Sequence, residues 1–112
     1  MQIKAEEKNG VTVFKIFGDI DINSSPDVKK SFDKSITRDK NKVVISLENV
    51  GYVDSSGLAT LVEIYKNLRT YAGKLKLTNL SDKVRGLFEI TKLDKLFEIV
   101  PTEQEAVDGF SD

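Results

Sequence analysis

The sequence predicts an α/β fold: a mixed, mostly parallel β-sheet with an antiparallel hairpin at its N-terminal edge and about four helices. Two strand-like segments open the chain, and apolar strand-like runs then alternate with segments of helical periodicity in the order ββαβαβαβα. Such alternation is typical of a parallel sheet with right-handed crossovers. The length of 112 residues suits one core, so we expect residues 1–112 to form a single domain.

The N-terminal part predicts a hairpin followed by a helix. Residues 2–8 and 11–17 are the two strands, and the second is rich in β-branched and aromatic side chains. The Asn-Gly pair between them is the strongest short hairpin signal, because both residues tolerate a positive φ. Ser25 before Pro26 is typical of an N-cap followed by the first helical position, so we place a helix over residues 26–37. Its apolar residues at helical spacing are Val28, Phe32 and Ile36.

The central part predicts a buried strand and a longer helix. Residues 42–47 form a near-continuous apolar run, which is typical of a strand covered on both faces. From Ser55 the periodicity becomes helical, and Gly73 is a natural C-terminal stop for this helix. The residues predicted on its buried face are Leu58, Leu61, Val62, Tyr65, Leu68 and Ala72.

The C-terminal part predicts two more strands, each followed by a helix. Residues 74–79 alternate between polar and apolar side chains, and residues 96–100 form a last short strand. Ser81 is expected to cap the third helix, whose inward residues are Val84, Leu87 and Phe88. Thr102 and Glu105 form a capping box for a C-terminal helix that buries Ala106 and Phe110.

The composition excludes several functional classes. The chain has no cysteine and no histidine, which removes disulfides, thiol nucleophiles, the usual zinc sites and triads with an imidazole base. We therefore expect no enzyme and no cofactor or metal. The net charge is -1 and no basic stripe is present, so we expect no nucleic-acid partner. Short apolar runs, the lack of a signal segment and the missing cysteines favour a cytoplasmic protein without membrane insertion.

Two loops with unusual residues follow predicted parallel strands. One is GDID at residues 18–21, and the other is VDSSG at residues 53–57. The carboxyl ends of parallel strands meet at one edge of a sheet, so we expect the two loops to lie together. In open α/β sheets this edge is where ligands usually bind.

The DSSG loop opens a predicted helix, and its serines have two explanations. A helix start has unpaired N–H groups and a partial positive charge, which Asp54 or Ser55 can cap. A phosphate on Ser55 would meet the same N–H groups. Gly57 has no Cβ and would let a partner's backbone or a nucleotide phosphate approach closely. On the residues alone, a helix cap with a tight turn is the plainer explanation, with GDID as a solvated loop.

A phosphate at this position would change the charge of the sheet edge. A phosphoserine adds about -1.5 to -2 charges near neutral pH. Asp19, Asp21 and Asp54 are already expected nearby. The added charge would therefore weaken anything docked on this edge, through repulsion and desolvation, without a large change of fold.

The string VVISLENVGYVDSSGLATLVEIYKNLRTYAGKLKLTNLSDKVRGLFEITKLDKLFEI resembles the STAS domain, in particular the free-standing bacterial anti-sigma factor antagonists. The resemblance extends over nearly the whole chain. It implies that Ser55 is phosphorylated by a partner that is both anti-sigma factor and serine kinase, and that Ser56 is not the acceptor. It also implies that the unphosphorylated chain binds the anti-sigma factor and frees a sigma factor. The phosphorylated form then lets go, and a serine phosphatase resets it.

The chain departs from the family's usual pattern at three places. The loop after the second strand usually resembles GELD followed by a Thr-Ala pair, whereas here GDID precedes the run Asn23-Ser24-Ser25-Pro26. Ala72-Gly73 stands where the family usually has two glycines, and Thr91-Lys92-Leu93 stands in place of TGL. These differences affect the expected identity of the partner more than the expected fold.

We expect the partner to contact the helix start, the GDID loop beside it and the exposed face of the long helix. The expected free state is a monomer. The residues predicted to bind the partner are Asp19, Asp21, Asn23, Asp54, Ser55, Ser56, Gly57, Leu58 and Glu63.

Four alternatives stay open on the sequence. A nucleotide-binding module lacks the P-loop pattern GxxxxGK[ST], and its acidic loops would need a metal ion. A regulatory STAS subunit of a membrane transport system is not excluded by a lone chain without a transmembrane segment. An enzyme with Ser55 as nucleophile lacks both histidine and the G-x-S-x-G elbow. A response regulator with Asp54 as phosphoacceptor would need more βα units and would not begin with a hairpin.

Overall fold

The computed structural model describes residues 1–110 and confirms the predicted fold class and order of elements. The five strands are β1 (Gln2–Lys8), β2 (Val11–Phe17), β3 (Lys42–Asn49), β4 (Lys74–Thr78) and β5 (Glu98–Val100). The four α-helices are α1 (Ser25–Ser35), α2 (Ser55–Arg69), α3 (Asp82–Ile90) and α4 (Glu103–Gly109), and a 3-10 helix spans Leu93–Lys95. The strands lie side by side in chain order; β1 and β2 are antiparallel, and the other neighbours are parallel.

The helices cover the two faces of the sheet unequally. Helices α1, α2 and α3 share one apolar core with alternate residues of the strands, among them Phe14 and Ile45. Helix α4 packs on the other face, where Val13 and Val44 belong to a smaller cluster. Strand β3 is therefore buried on both faces from Val43 to Leu47, as its continuous apolar run predicts.

The β1–β2 hairpin confirms the Asn-Gly turn. Asn9 has a φ of 52° and Gly10 a φ of 79°, so both turn residues are left-handed, as a two-residue hairpin with native strand twist requires. All seven residues of β1 pair with β2 in regular register from Gln2↔Phe17 to Lys8↔Val11.

Ion pairs join the start of α4 to the β1–β2 hairpin, and a side-chain cap closes the first turn of the helix. The Glu103 carboxylate accepts a hydrogen bond from Lys8 Nζ and lies 3.8 Å from Lys15 Nζ. This hydrogen bond raises the pKa of Lys8 above its ordinary value. Thr102 Oγ1 accepts a hydrogen bond from the Glu105 backbone N–H at 3.2 Å, which is the Thr102 half of the predicted capping box.

Several predicted helix ends are wrong by a few residues, each for a local reason. Helix α1 begins at Ser25 and its N-cap is Ser24, because the Ser25 hydroxyl donates to the Asp21 carbonyl at 2.6 Å instead of capping. Helix α2 ends at Arg69, and the exposed Ala72 takes the left-handed conformation predicted for Gly73. Gly73 is needed for space, since a Cβ there would lie 2.8 Å from Leu68 Cδ2.

The last two strands also differ from the prediction, β4 in its alternation and β5 in its length. Lys76 in β4 is buried, with its Nζ 3.3 Å from a carboxylate oxygen of Glu98 and 4.5 Å from the ring centroid of Phe110. Strand β5 is shorter than predicted, because the left-handed Lys92 leads into the 3-10 helix and leaves Leu96 outside the strand.

The hairpin turn offers a clean test of backbone conformation. A Cβ on either Gly10 or Gly86 would meet no atom within 4 Å, but only Gly10 has a positive φ. We expect Gly10→Ala to lower the free energy of unfolding by about 1 kcal/mol, because a left-handed alanine is strained. Gly86→Ala, inside α3, should raise it by about 0.5 kcal/mol. Urea denaturation of both variants checks the prediction, and equal effects would contradict it.

Candidate functional site

The two predicted loops meet at the carboxyl edge of the sheet. Ile20 and Val53 form an isolated parallel bridge that extends the pairing of β2 with β3. The Ile20 N–H donates to the Tyr52 carbonyl at 3.0 Å, and the Asp54 N–H donates to the Ile20 carbonyl at 3.1 Å. The GDID loop and the DSSG helix start therefore form one continuous surface, as the crossover topology predicts.

Asp54 is the residue that caps α2. Its Oδ1 accepts a hydrogen bond from the Gly57 N–H at 2.9 Å, and its Oδ2 accepts one from the Ile22 N–H at 3.1 Å. One carboxylate thus closes the helix start and fastens the neighbouring loop. Of the two caps that the sequence allows, Asp54 is used and Ser55 is not.

Ser55 is the first residue of α2 and is exposed, and Ser56 is half-buried. Within residues 1–110, neither serine hydroxyl takes part in a hydrogen bond, and the backbone N–H groups of both residues lack an acceptor. The Ser55 hydroxyl therefore lies exposed at the positive end of a 15-residue helix.

Gly57 and Leu58 are buried, and the absence of a Cβ on Gly57 serves the packing of the chain itself. A Cβ on Gly57 would lie 2.4 Å from the Ile20 carbonyl oxygen and 2.8 Å from Val53 Cγ1. The space that was expected to admit a partner or a phosphate is therefore filled by the chain's own loop. Leu58 is 8% exposed and belongs to the main core.

The GDID loop is folded by its own polar side chains. Asp21 Oδ1 accepts hydrogen bonds from the N–H groups of Asn23, at 2.9 Å, and Ser24, at 3.1 Å. Ser24 Oγ donates to the Asp19 carbonyl at 2.8 Å. Asp21 is half-buried and organises the loop, whereas the predicted contact residues Asp19 and Asn23 are exposed.

Glu63 lies on the exposed face of α2, as predicted. Its carboxylate is 4.0 Å from Lys29 Nζ on α1, and its side chain is largely exposed. The geometry leaves Glu63 accessible on the same side of the molecule as Ser55.

A mostly apolar groove beside Ser55 was missed by sequence reasoning. It has a volume of about 530 Å³ and runs along α2 towards the 3-10 helix. Val62 was assigned to the core but is only half-buried, and the 3-10 segment has no clear sequence signal. The residues that line the groove are Ser55, Leu58, Ala59, Val62, Glu63, Lys66, Thr91 and Leu93.

The exposed Ile22 was missed as well. Its side chain is 69% exposed at the tip of the GDID loop, although its backbone N–H is bound to Asp54. The available signal was a second apolar residue two positions after Ile20, but the sequence alone does not show that Ile20 is buried and Ile22 exposed.

The described residues show neither a metal centre nor a membrane span. In residues 1–110, no three His, Cys, Asp or Glu side chains lie in a group that could hold a metal ion. Over the same range, no helix combines the length and apolar character needed to cross a bilayer.

Sequence comparison identifies the family of the chain. A family model described as the STAS domain matches residues 2–106. The chain belongs to the STAS domain family. The anti-sigma-B factor antagonist of Listeria monocytogenes is 34% identical over 105 residues, which cover 94% of this chain and 91% of the Listeria protein.

Two solved structures share the architecture. An anti-sigma factor antagonist from Mycobacterium paratuberculosis superposes with a TM-score of 0.89 at 26% identity, covering 99% of this chain and 94% of that one. The Bacillus cell fate determinant SpoIIAA, in its phosphorylated form, superposes with a TM-score of 0.74 at 22% identity, covering 97% and 99%. The likeness to SpoIIAA is one of fold.

The contact between Gly57 and Ile20 predicts a large steric effect. We expect Gly57→Ala to lower the free energy of unfolding by about 3 kcal/mol, because the clash is with backbone and cannot be relieved by a rotamer change. Gly86→Ala is the matched control, since it adds the same methyl group to a helix with open space around it. Urea denaturation measures both, and a Gly57→Ala variant as stable as the control would contradict the close approach.

The two hydrogen bonds of Asp54 can be separated by substitution. Asp54→Ala removes both acceptors, and we expect it to cost about 1–2 kcal/mol of unfolding free energy through the lost cap. Asp54→Asn keeps one carbonyl oxygen, which can accept the Gly57 N–H of the cap, but its amide nitrogen cannot accept the Ile22 N–H. We therefore expect Asn to restore most of the stability and to leave the Ile22 amide unprotected. Urea denaturation and amide hydrogen exchange by NMR distinguish the outcomes, and a protected Ile22 amide in both variants would refute the bridging role.

Proposed function

We propose that this chain is an anti-sigma factor antagonist whose binding is switched by phosphorylation of Ser55. The observation that carries the proposal is the Ser55 hydroxyl at the start of α2. It is exposed, directly follows the capping Asp54 and makes no hydrogen bond within residues 1–110. The name of the Listeria relative, an anti-sigma-B factor antagonist, supports the class of function. The phosphorylated form of SpoIIAA, which has the same fold, supports a phosphorylated state.

The proposed kinase is the anti-sigma factor itself. It supplies ATP and a general base, Ser55 Oγ attacks the γ-phosphorus, the serine proton passes to the base and ADP leaves. The free N–H groups of Ser55 and Ser56 and the helix dipole then stabilise the phosphate. A serine phosphatase restores the hydroxyl by hydrolysis of the phosphoester bond.

Release of the partner follows from charge. The phosphate adds about -1.5 to -2 charges beside the Asp54 carboxylate, whose two oxygens are both occupied. A partner that buries Ser55 must then either desolvate a dianion or tolerate it next to acidic groups, and both are costly. The unphosphorylated chain binds the anti-sigma factor and frees a sigma factor, and the phosphorylated chain does not.

The predicted partner-binding residues divide into two groups. Asp19, Asn23 and Glu63 are exposed around Ser55 and are proposed to contact the partner. The others are buried or hydrogen-bonded within the chain and are proposed to shape the surface; they are Asp21, Asp54, Gly57 and Leu58. The half-buried Ser56 is proposed to lie at the edge of the contact. We further propose that the chain acts in the cytoplasm as a monomeric binding protein without catalytic activity of its own.

Intact-mass spectrometry tests the switch. The purified chain is incubated with ATP, magnesium and, one at a time, each purified serine kinase of the anti-sigma factor class from the source organism. We expect one phosphate on the wild type and on the matched control Ser56→Ala, and none on Ser55→Ala. A phosphate that persists on Ser55→Ala would move the site elsewhere, and no phosphate with any kinase would overturn the proposal.

A further inference from the structure

Ile22 presents an apolar side chain where the fold does not need one. It is 69% exposed, and its neighbours Asp21 and Asn23 are polar. Single exposed apolar residues are common on proteins, so exposure alone carries no meaning. A role for Ile22 is indicated by the hydrogen bonds that fix its backbone and by its position next to Asp54 and Ser55.

The backbone of Ile22 is fixed on both sides. Its own N–H is bound by Asp54 Oδ2 at 3.1 Å, and the next two N–H groups, of Asn23 and Ser24, are bound by Asp21 Oδ1. The side chain therefore projects from a rigid loop. An apolar residue that is already ordered loses little conformational freedom on binding, which is the property of an efficient interface anchor.

Ile22 is also adjacent to the proposed phosphorylation site. The Ile22 N–H binds the side chain of the residue immediately before Ser55. A typical protein interface covers roughly 800 Å² on each partner, far more than the area between these neighbours. A kinase whose active site encloses the Ser55 hydroxyl must therefore cover Ile22 as well.

We propose that Ile22 is an apolar anchor that seats this chain in a pocket of the anti-sigma factor kinase while the kinase acts on Ser55. The proposal rests on the proposed function and names a contact of that same interface. The partner pocket has an apolar floor for Ile22 and a basic rim, because the exposed carboxylates of Asp19 and Asp27 lie on the same loop and the helix start after it.

The anchor is coupled to the switch through Asp54. The carboxylate that fixes Ile22 belongs to Asp54, the residue immediately before Ser55. A partner seated on Ile22 is thereby held over the position where the added charge appears. Tight apolar seating makes the interface dry, and a dry interface increases the cost of burying the phosphate.

Calorimetry with the kinase that modifies Ser55 tests the anchor. We expect Ile22→Ala to weaken binding of the unphosphorylated chain about 30-fold, as for an interface hot spot. Ile22→Leu, which keeps the apolar volume, should stay within about threefold of the wild type. The matched control is Leu96→Ala, because Leu96 is also exposed but lines a cavity with Arg69 and Gly73 at the other end of α2.

Phosphorylation kinetics supply a second readout. Loss of an anchor that binds ground state and transition state alike should raise the KM for the chain and leave kcat unchanged. A fall in kcat at constant KM would instead place Ile22 in the reaction and overturn the anchor. Thermal unfolding of Ile22→Ala should match the wild type, because the Ile22 side chain is 69% exposed and is not part of the core.

The outcomes separate this inference from the proposed function. If no anti-sigma factor kinase binds or modifies the wild type, the proposed function fails and the anchor fails with it. If a kinase binds and modifies the wild type but binds Ile22→Ala within twofold, the anchor alone is overturned. A loss with Ile22→Ala, recovery with Ile22→Leu and no effect of Leu96→Ala would establish it.

Discussion

The double hydrogen bond of the Asp54 carboxylate is the constraint on which the rest of the site depends. Oδ1 closes the first turn of α2, and Oδ2 holds the Ile22 amide of the loop that follows β2. The backbone bonds between Ile20 and residues Tyr52 and Asp54 bring the two loops together, and the carboxylate fixes their mutual position. Gly57 completes the contact, since only a residue without a Cβ lets the helix start lie against the Ile20 carbonyl.

This division of labour explains why two serines can follow the aspartate without serving as caps. The N-cap position before the helix is filled by Asp54, whose carboxylate accepts the Gly57 N–H, so no cap is required of the serines. Ser55 is thereby left exposed with an unengaged hydroxyl. In the loop after β2, the side chains of Asp21 and Ser24 make the internal hydrogen bonds, and the side chains of Asp19 and Asn23 are exposed. In each loop, one set of polar residues builds the structure and another faces outward.

Local patterns predicted the elements whose causes are local. The Asn9-Gly10 turn, the doubly buried β3 and the Ser81 cap of α3 all follow from neighbouring residues and are present. The misplaced ends of α1 and α2 have local causes, but the errors in burial and close packing arise where a distant group decides the outcome. Lys76 is buried because its ammonium group pairs with the Glu98 carboxylate and lies over the Phe110 ring. Gly57 must lack a Cβ because the Ile20 carbonyl occupies that space. The groove beside Ser55 depends on how the 3-10 helix packs against α2, which no window of sequence records.

The tightness of this contact limits how a phosphate on Ser55 could act. Moving the helix start away from the GDID loop would break the exposed Asp54–Ile22 hydrogen bond and open the buried packing of Gly57 on Ile20 and Val53. The phosphate needs no such movement, because exposed N–H groups and the helix dipole already favour an anion there. The cheaper response is therefore to leave the fold unchanged and to alter the charge that a partner meets. A rigid site of this kind is suited to a switch in which phosphorylation changes the energy of an interface and not the shape of the protein.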